Sequence, residues 1–295
     1  MIGFTAGPVN SPVHSRLPQP RSIRGVIGLI AVLPILVLLG CTNDGVTPAQ
    51  PLRIAAASDL AQVMPELIGL HQQRYPELTV TTTLGSSGLL ARQIAQGAPF
   101  DLLFSANIAF VEDLVAQGHG RSDTLALYAR GRIAIWSVAG AVEPALSLAD
   151  LRDPRFRRIA LANPEHAPYG LAAKQALISA GLWEELQPRI VYAENILQTL
   201  QFSESGNAEA AIIALALAIP TPNGAWALLD GDLHQPIDQG LVVTTQSQQA
   251  EAAAAFARSV NSPEGRAIMQ RFGFVLPGED LDATILEAAG GRMAR

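Results

Sequence analysis

From Leu52 onward, short apolar and β-branched runs alternate with segments whose apolar positions recur at helical spacing. The first run, Leu52–Ala57, reads as a buried strand that stops at Ser58. Ala61, Met64, Leu67, Ile68 and His71 then predict a helix over 58–74, with Ser58 as its N-cap. The pattern continues with a strand over 78–83, the turn Gly85-Ser86-Ser87-Gly88, a helix from Leu89, a strand over 101–105 and a helix over 108–117. This βαβαβα order predicts a mostly parallel sheet with helices on both faces.

A second series starts with a strand over 132–138. It runs through a short helix at 148–151, strands at 158–161, 190–192 and 211–215, and helices at 170–180 and 195–202. A further strand at 241–244 precedes two helices, 249–260 and 263–272. Two such series predict an α/β protein of two lobes, the second inserted into the first. The expected boundaries are 52–131 plus 240–295 for lobe one and 132–239 for lobe two. Ligands in such sheets sit outside the carboxyl ends of the strands, which here means the cleft between lobes.

Ahead of this body, Arg21 and Arg24 precede an apolar run from Gly25 to Gly40 that ends Leu38-Leu39-Gly40-Cys41. Charge, then a short apolar stretch, then small residues is the layout of an export signal. Its ending resembles a bacterial lipoprotein signal, which implies cleavage before Cys41 and lipid on that residue; a plain signal anchor is the other reading. Residues 1–40 are thus expected to be a signal peptide. Residues 41–51, polar with Gly and Pro, are expected to be a tether. Localisation follows as exported, periplasmic or cell-surface, and held to a membrane through Cys41.

Composition narrows the chemistry. The net charge of −6 points away from a nucleic-acid surface. A single cysteine rules out an intramolecular disulfide, and the five histidines are scattered without metal-ligand spacing. No cofactor and no side-chain metal site are expected.

The chemistry that remains lies at strand-to-helix junctions. A helix start leaves backbone N–H groups that an anion can use, although most such junctions bind nothing. Ser58 ends the first strand, and Ser86, Ser87 and Gly88 sit in a glycine-flanked turn. Asn163-Pro-Glu-His-Ala-Pro-Tyr169-Gly170 leads into a helix with the Tyr169 N–H at its start. In Glu194-Asn195-Ile196, Asn195 caps and Ile196 presents a bare amide. Asp59 has two readings: it complements the dipole of a first helical turn, or its carboxylate faces the ligand. Arg92 reads as an interlobe or surface salt bridge, and Glu165 and His166 as residues that shape their loop.

These motifs, in order, are Ala-Ala-Ala-Ser-Asp-Leu, Gly-Ser-Ser-Gly-x-Leu-Ala-Arg-Gln-Ile-x-x-Gly-Ala-Pro-x-Asp and Asn-Pro-Glu-His-Ala-Pro-Tyr-Gly. Together with Gly206-Asn-Ala-Glu209 and Phe272-Gly-Phe274, they resemble the periplasmic molybdate-binding proteins of ABC transporters, from about Leu52 to Leu276. The resemblance implies a two-lobed periplasmic-binding-protein fold of type II that holds an oxyanion between its lobes. It implies Ser58 and Ser87 as hydroxyl donors, and Tyr169 and Ile196 as amide donors. Some members add a tyrosine hydroxyl at a position nearest Ala214 here, so that ligand is absent. Gly88 and Asp59 are secondary candidates.

The resemblance implies capture of molybdate or tungstate and delivery to a membrane permease, by a monomer that is not an enzyme. Molybdate is a dianion at neutral pH that only accepts hydrogen bonds. About six or seven donor bonds, each worth roughly 1.5–3 kcal/mol net, would give submicromolar affinity. Hydrogen phosphate carries a proton and needs an acceptor, which makes Asp59 decisive. The alternatives are binding of sulfate or phosphate, or an exported enzyme with Ser58 as nucleophile.

Overall fold

The computed structural model describes residues 50–140, 143–279 and the backbone of 292–293. The export signal, Cys41 and most of the tether lie outside the described residues. Strand β1 (Leu52–Ala57) passes into a single 3-10 turn, Ser58–Leu60, and α1 (Met64–Gln72) begins only after a break. One continuous helix from Ser58 does not form. Pro65 occupies the first turn of α1, where its missing N–H is harmless, whereas in a continuous helix from Ser58 it could not give the bond owed to the Ala61 carbonyl.

The chain continues through β2 (Val80–Gly85), α2 (Ser87–Ala95), β3 (Leu102–Ser105), α3 (Ile108–Ala116) and β4 (Ala126–Gly131). Strand β4 departs from the sequence expectation. It closes the edge of its sheet with Leu127 and Arg130 exposed, so it lacks a clean apolar run. Next come β5 (Ile133–Val138), β6 (Ile159–Ala162), α4 (Pro168–Ser179) and the one-turn helix α5 (Trp183–Leu186). They are followed by β7 (Ile190–Ala193), α6 (Ile196–Glu204), β8 (Ala210–Ala214), the short α7 (Leu215–Ala218) and β9 (Gly224–Leu228). Strand β10 (Ile237–Val243), α8 (Ala250–Val260), α9 (Pro263–Arg271) and the two-residue β11 (Arg292–Met293) complete the order.

Two sheets result. The first runs β2-β1-β3-β10-β4, and β10 is antiparallel to both of its neighbours. The second runs β11-β9-β5-β8-β6-β7, and β5 is antiparallel to β8 and β9. Each sheet is therefore mixed, with one strand reversed in an otherwise parallel set. The chain leaves the first sheet at Gly131 and re-enters it at Ile237.

Period-two packing explains the apolar run of β1. Ile54 and Ala56 face a layer with Leu67, Phe104 and Phe256, while Ala55 faces Leu90, Leu103 and Val111. Both faces are covered by helices, so the strand has no polar face to show. The second sheet has its own core around Trp136, Phe156, Leu161 and Ile212. Helix α4 lies hard against β6: a Cβ on Gly170 would fall 2.0 Å from the Ala162 carbonyl oxygen, so only glycine fits.

His71 is an oddity within the first core. It is 1% exposed, stacks on Tyr75 at 4.7 Å and leans on Phe256 at 5.1 Å. Neither ring nitrogen has a partner among the described residues. Burial, helped by the charge of Arg74, lowers its pKa, so the folded state resists the proton that the unfolded chain accepts. Stability is therefore lost as pH falls below the ordinary histidine value. His71→Phe is expected to raise stability more at pH 5 than at pH 8, measured by urea unfolding. An equal effect at both pH values would refute the assignment.

Candidate functional site

Five strand-to-helix junctions meet at one small cavity. From the first sheet come Ala57, Ser58 and Asp59 after β1, Gly85, Ser86 and Ser87 after β2, and Ala106 after β3. From the second come Ala167, Pro168 and Tyr169 at the start of α4, and Ile196 at the start of α6. Ser58, Ser87, Tyr169 and Ile196, which the sequence singles out, all line this space, and Asp59 joins them.

The donor arrangement follows from the partners. Ser58 Oγ accepts the Leu197 N–H at 3.3 Å, and Ser87 Oγ accepts the Ala106 N–H at 2.9 Å. Neither hydroxyl hydrogen has an acceptor among the described residues, so each is free to point into the cavity. Ser58 caps nothing; the N-cap of its turn is Ala57, without a side-chain bond. Asn195 does cap α6, accepting the Gln198 N–H at 3.0 Å. That leaves the Ile196 N–H, and likewise the Tyr169 N–H behind Pro168, without an acceptor among the described residues. Two hydroxyls and two helix-terminal amides thus converge with no acceptor of their own.

Several bonds join the two sides of the cleft directly. Ser86 Oγ donates to the His166 carbonyl at 2.5 Å and lies 2.8 Å from His166 Nδ1. The Gly88 N–H donates to the same carbonyl at 3.0 Å. His166 therefore clamps the α4 loop to the start of α2, beyond shaping its own loop. Glu165 stays local, its N–H donating to Asn163 Oδ1 at 3.0 Å.

Behind the cavity lies a buried polar cluster. Asp59 is 0% exposed, and its Oδ2 accepts from the Tyr169 hydroxyl and from Gln239 Nε2, each at 2.8 Å. Gln239 Nε2 also donates to the Tyr169 oxygen at 2.8 Å, and Gln239 Oε1 accepts from Tyr128 at 2.6 Å. Asp59 thus does not serve a helix dipole; its turn is one 3-10 turn, and its carboxyl is committed to side chains from β10 and α4. Burial raises its pKa to about 6, against the lowering effect of the bonds from Gln239 and Tyr169. Burial also pushes both phenols, Tyr128 and Tyr169, well above the ordinary tyrosine value, with the Asp59 charge adding to it.

Other expectations need correction. Gly88 does not line the cavity, because its amide is consumed by His166. Ala214 ends β8, fully buried and away from the cavity lining, paired across the sheet with Ile133. The Tyr169 phenol points to Asp59 and offers no donor to the cavity. Arg92 is exposed and forms no ion pair among the described residues. Gln239 and Ala106 were illegible in the sequence, since a lone Gln before a glycine and an alanine after a strand carry no local signal. Among the described residues, no group of three His, Cys, Asp or Glu side chains could hold a metal ion.

With this geometry in view, known proteins supply the context. Residues 52–275 match the family model described as bacterial extracellular solute-binding protein. The molybdate-binding protein ModA of Rhodobacter capsulatus is 30% identical over 259 residues, 87% of this chain and 98% of that protein. A putative ABC transporter substrate-binding lipoprotein of Bacillus subtilis, YvgL, is 27% identical over 84% of this chain and 96% of its own length. The solved periplasmic molybdate-binding protein of Azotobacter vinelandii superposes with a TM-score of 0.71 at 31% identity, covering 77% of this chain and 99% of that one. The match spans both sheets and every junction that meets at the cavity, and the chain belongs to the bacterial extracellular solute-binding protein family.

Proposed function

We propose that this protein captures molybdate, and tungstate equally, between its two lobes and hands it to the membrane permease of an ABC transporter. The observation that carries this reading is the convergence of the Ser58 and Ser87 hydroxyls with the Tyr169 and Ile196 amides. A site of donors without a cation suits a tetrahedral dianion, which accepts hydrogen bonds and gives none. The relatives named for molybdate support the choice of anion. Sulfate meets the same donor test and is separated by size.

The lobe boundaries we assign are residues 52–131 plus 240–295 and residues 132–239. Closure of one lobe on the other is the signal a permease would read. The Ser58–Leu197, Ser86–His166 and Gly88–His166 bonds are suited to hold the closed form. We assign the protein as a carrier without catalysis and without a cofactor: Ser58 Oγ accepts a backbone amide, and no base is paired with it among the described residues. Cleavage before Cys41 and lipid on that residue would keep the carrier, as a monomer, beside its permease on the outer side of a membrane.

Calorimetric titration with molybdate, tungstate, sulfate and phosphate tests the reading. Molybdate and tungstate are expected to bind with similar affinity, and the smaller sulfate and phosphate more weakly. Heat with phosphate but none with molybdate would overturn it.

A further inference from the structure

Asp59 sits beside the donors of the cavity, yet a carboxylate is the wrong group to face a dianion. Its surroundings say how the conflict resolves. Oδ2 already takes two hydrogens, from Tyr169 of α4 and Gln239 of β10. Gln239 is itself oriented by Tyr128 of β4, whose hydroxyl donates to its Oε1. Every hydrogen in that cluster is therefore spoken for. Oδ1, by contrast, is buried and has no partner among the described residues.

The titratable groups facing Asp59 are the phenols of Tyr128 and Tyr169, both uncharged at neutral pH, and Gln239 brings no charge. No lysine, arginine or histidine is paired with it among the described residues. The carboxyl is thus already easy to protonate near neutrality, its pKa lying at about 6. A dianion entering the same dry cavity adds like charge beside it, which favours the neutral form further. The proton must go to Oδ1, because Oδ2 is held by two donors. Protonation turns the one unpaired acceptor into another donor.

We propose that Asp59 is a binding-site carboxyl that takes up one proton when a fully deprotonated oxyanion binds, presenting Oδ1–H to it. The proposal rests on the oxyanion-binding reading above. The proton comes from solvent and returns to it on release. Capture should tighten as pH falls toward 6 and loosen above neutrality.

The test is titration of the full-length protein with sodium molybdate in buffers of different ionisation enthalpy at about pH 7.5. The expected result is uptake of close to one proton per molybdate bound. Kd is expected to weaken about tenfold per pH unit between roughly pH 7 and 8. Asp59→Asn is expected to abolish both the uptake and the pH dependence. Molybdate binding by the wild type without proton uptake and with a flat pH profile overturns this proposal and leaves the oxyanion reading standing. Proton uptake that persists in Asp59→Asn overturns it as well. The wild-type pH profile decides the matter should that variant not fold. Absence of any molybdate binding removes the oxyanion reading and this proposal together.

Discussion

Gly131→Ala is expected to lower stability by about 2–4 kcal/mol and to weaken oxyanion capture with it. A Cβ at this position would fall 2.1 Å from the Tyr169 hydroxyl oxygen and 2.8 Å from Gln239 Nε2. Tyr169 is 2% exposed, so its ring has little room to swing. Moving it strips one of the two donors from Asp59 Oδ2 and leaves a buried carboxylate underpaired. Gly131 also ends β4, the last strand before the chain crosses to the second sheet, so the defect strains the junction between lobes. Urea unfolding and molybdate titration of the variant measure both effects. A wild-type unfolding midpoint would show that the cluster yields without cost, and the account given of it would be wrong.

Ser87→Ala is expected to weaken oxyanion binding by about 1–3 kcal/mol, roughly 5- to 150-fold. The hydroxyl does two things at once. It accepts the Ala106 N–H at 2.9 Å, and it keeps its own hydrogen free for the cavity. Alanine removes the donor and also leaves a buried amide unpaired, so a smaller loss of stability accompanies the loss of affinity. Comparing the unfolding midpoint with the titration separates the two. Unchanged affinity would take Ser87 out of the binding site.

Gly131→Ala acts through the way the cleft is held shut. The α4 loop reaches the first sheet through His166 and Tyr169, and α6 reaches it through the Leu197 amide. These contacts come from the same junctions that carry the donors, so ligand capture and closure share their residues. An anion arriving at the cavity completes hydrogen bonds from both sides together, which is the differential interaction a closing motion needs.

The sequence alone determined the alternating strands and helices, the pairing of two α/β series, and the junctions that would carry donors. These are local properties: apolar period, caps and glycine turns act within a few residues, and they survive in the pattern without knowledge of neighbours. Asn195 caps α6 as read, and Ser58, Ser87, Tyr169 and Ile196 meet at one cavity. Where local signals were weak or contested, the expectation failed. Edge strand β4 lacked a clean period, and Pro65 broke the helix drawn through it.

The tertiary structure decided what each polar group does once it arrives. Asp59 read either as a helix-dipole residue or as a carboxylate facing the ligand, because its neighbours in the chain allow both. Its partners are Tyr169, 110 residues away, and Gln239, 180 residues away. Gly88 read as a cavity amide, and His166, from the far side of the cleft, takes that hydrogen instead. A buried donor or acceptor must find a partner wherever the fold brings one, and that choice is made by packing across the lobes, beyond the reach of any local pattern.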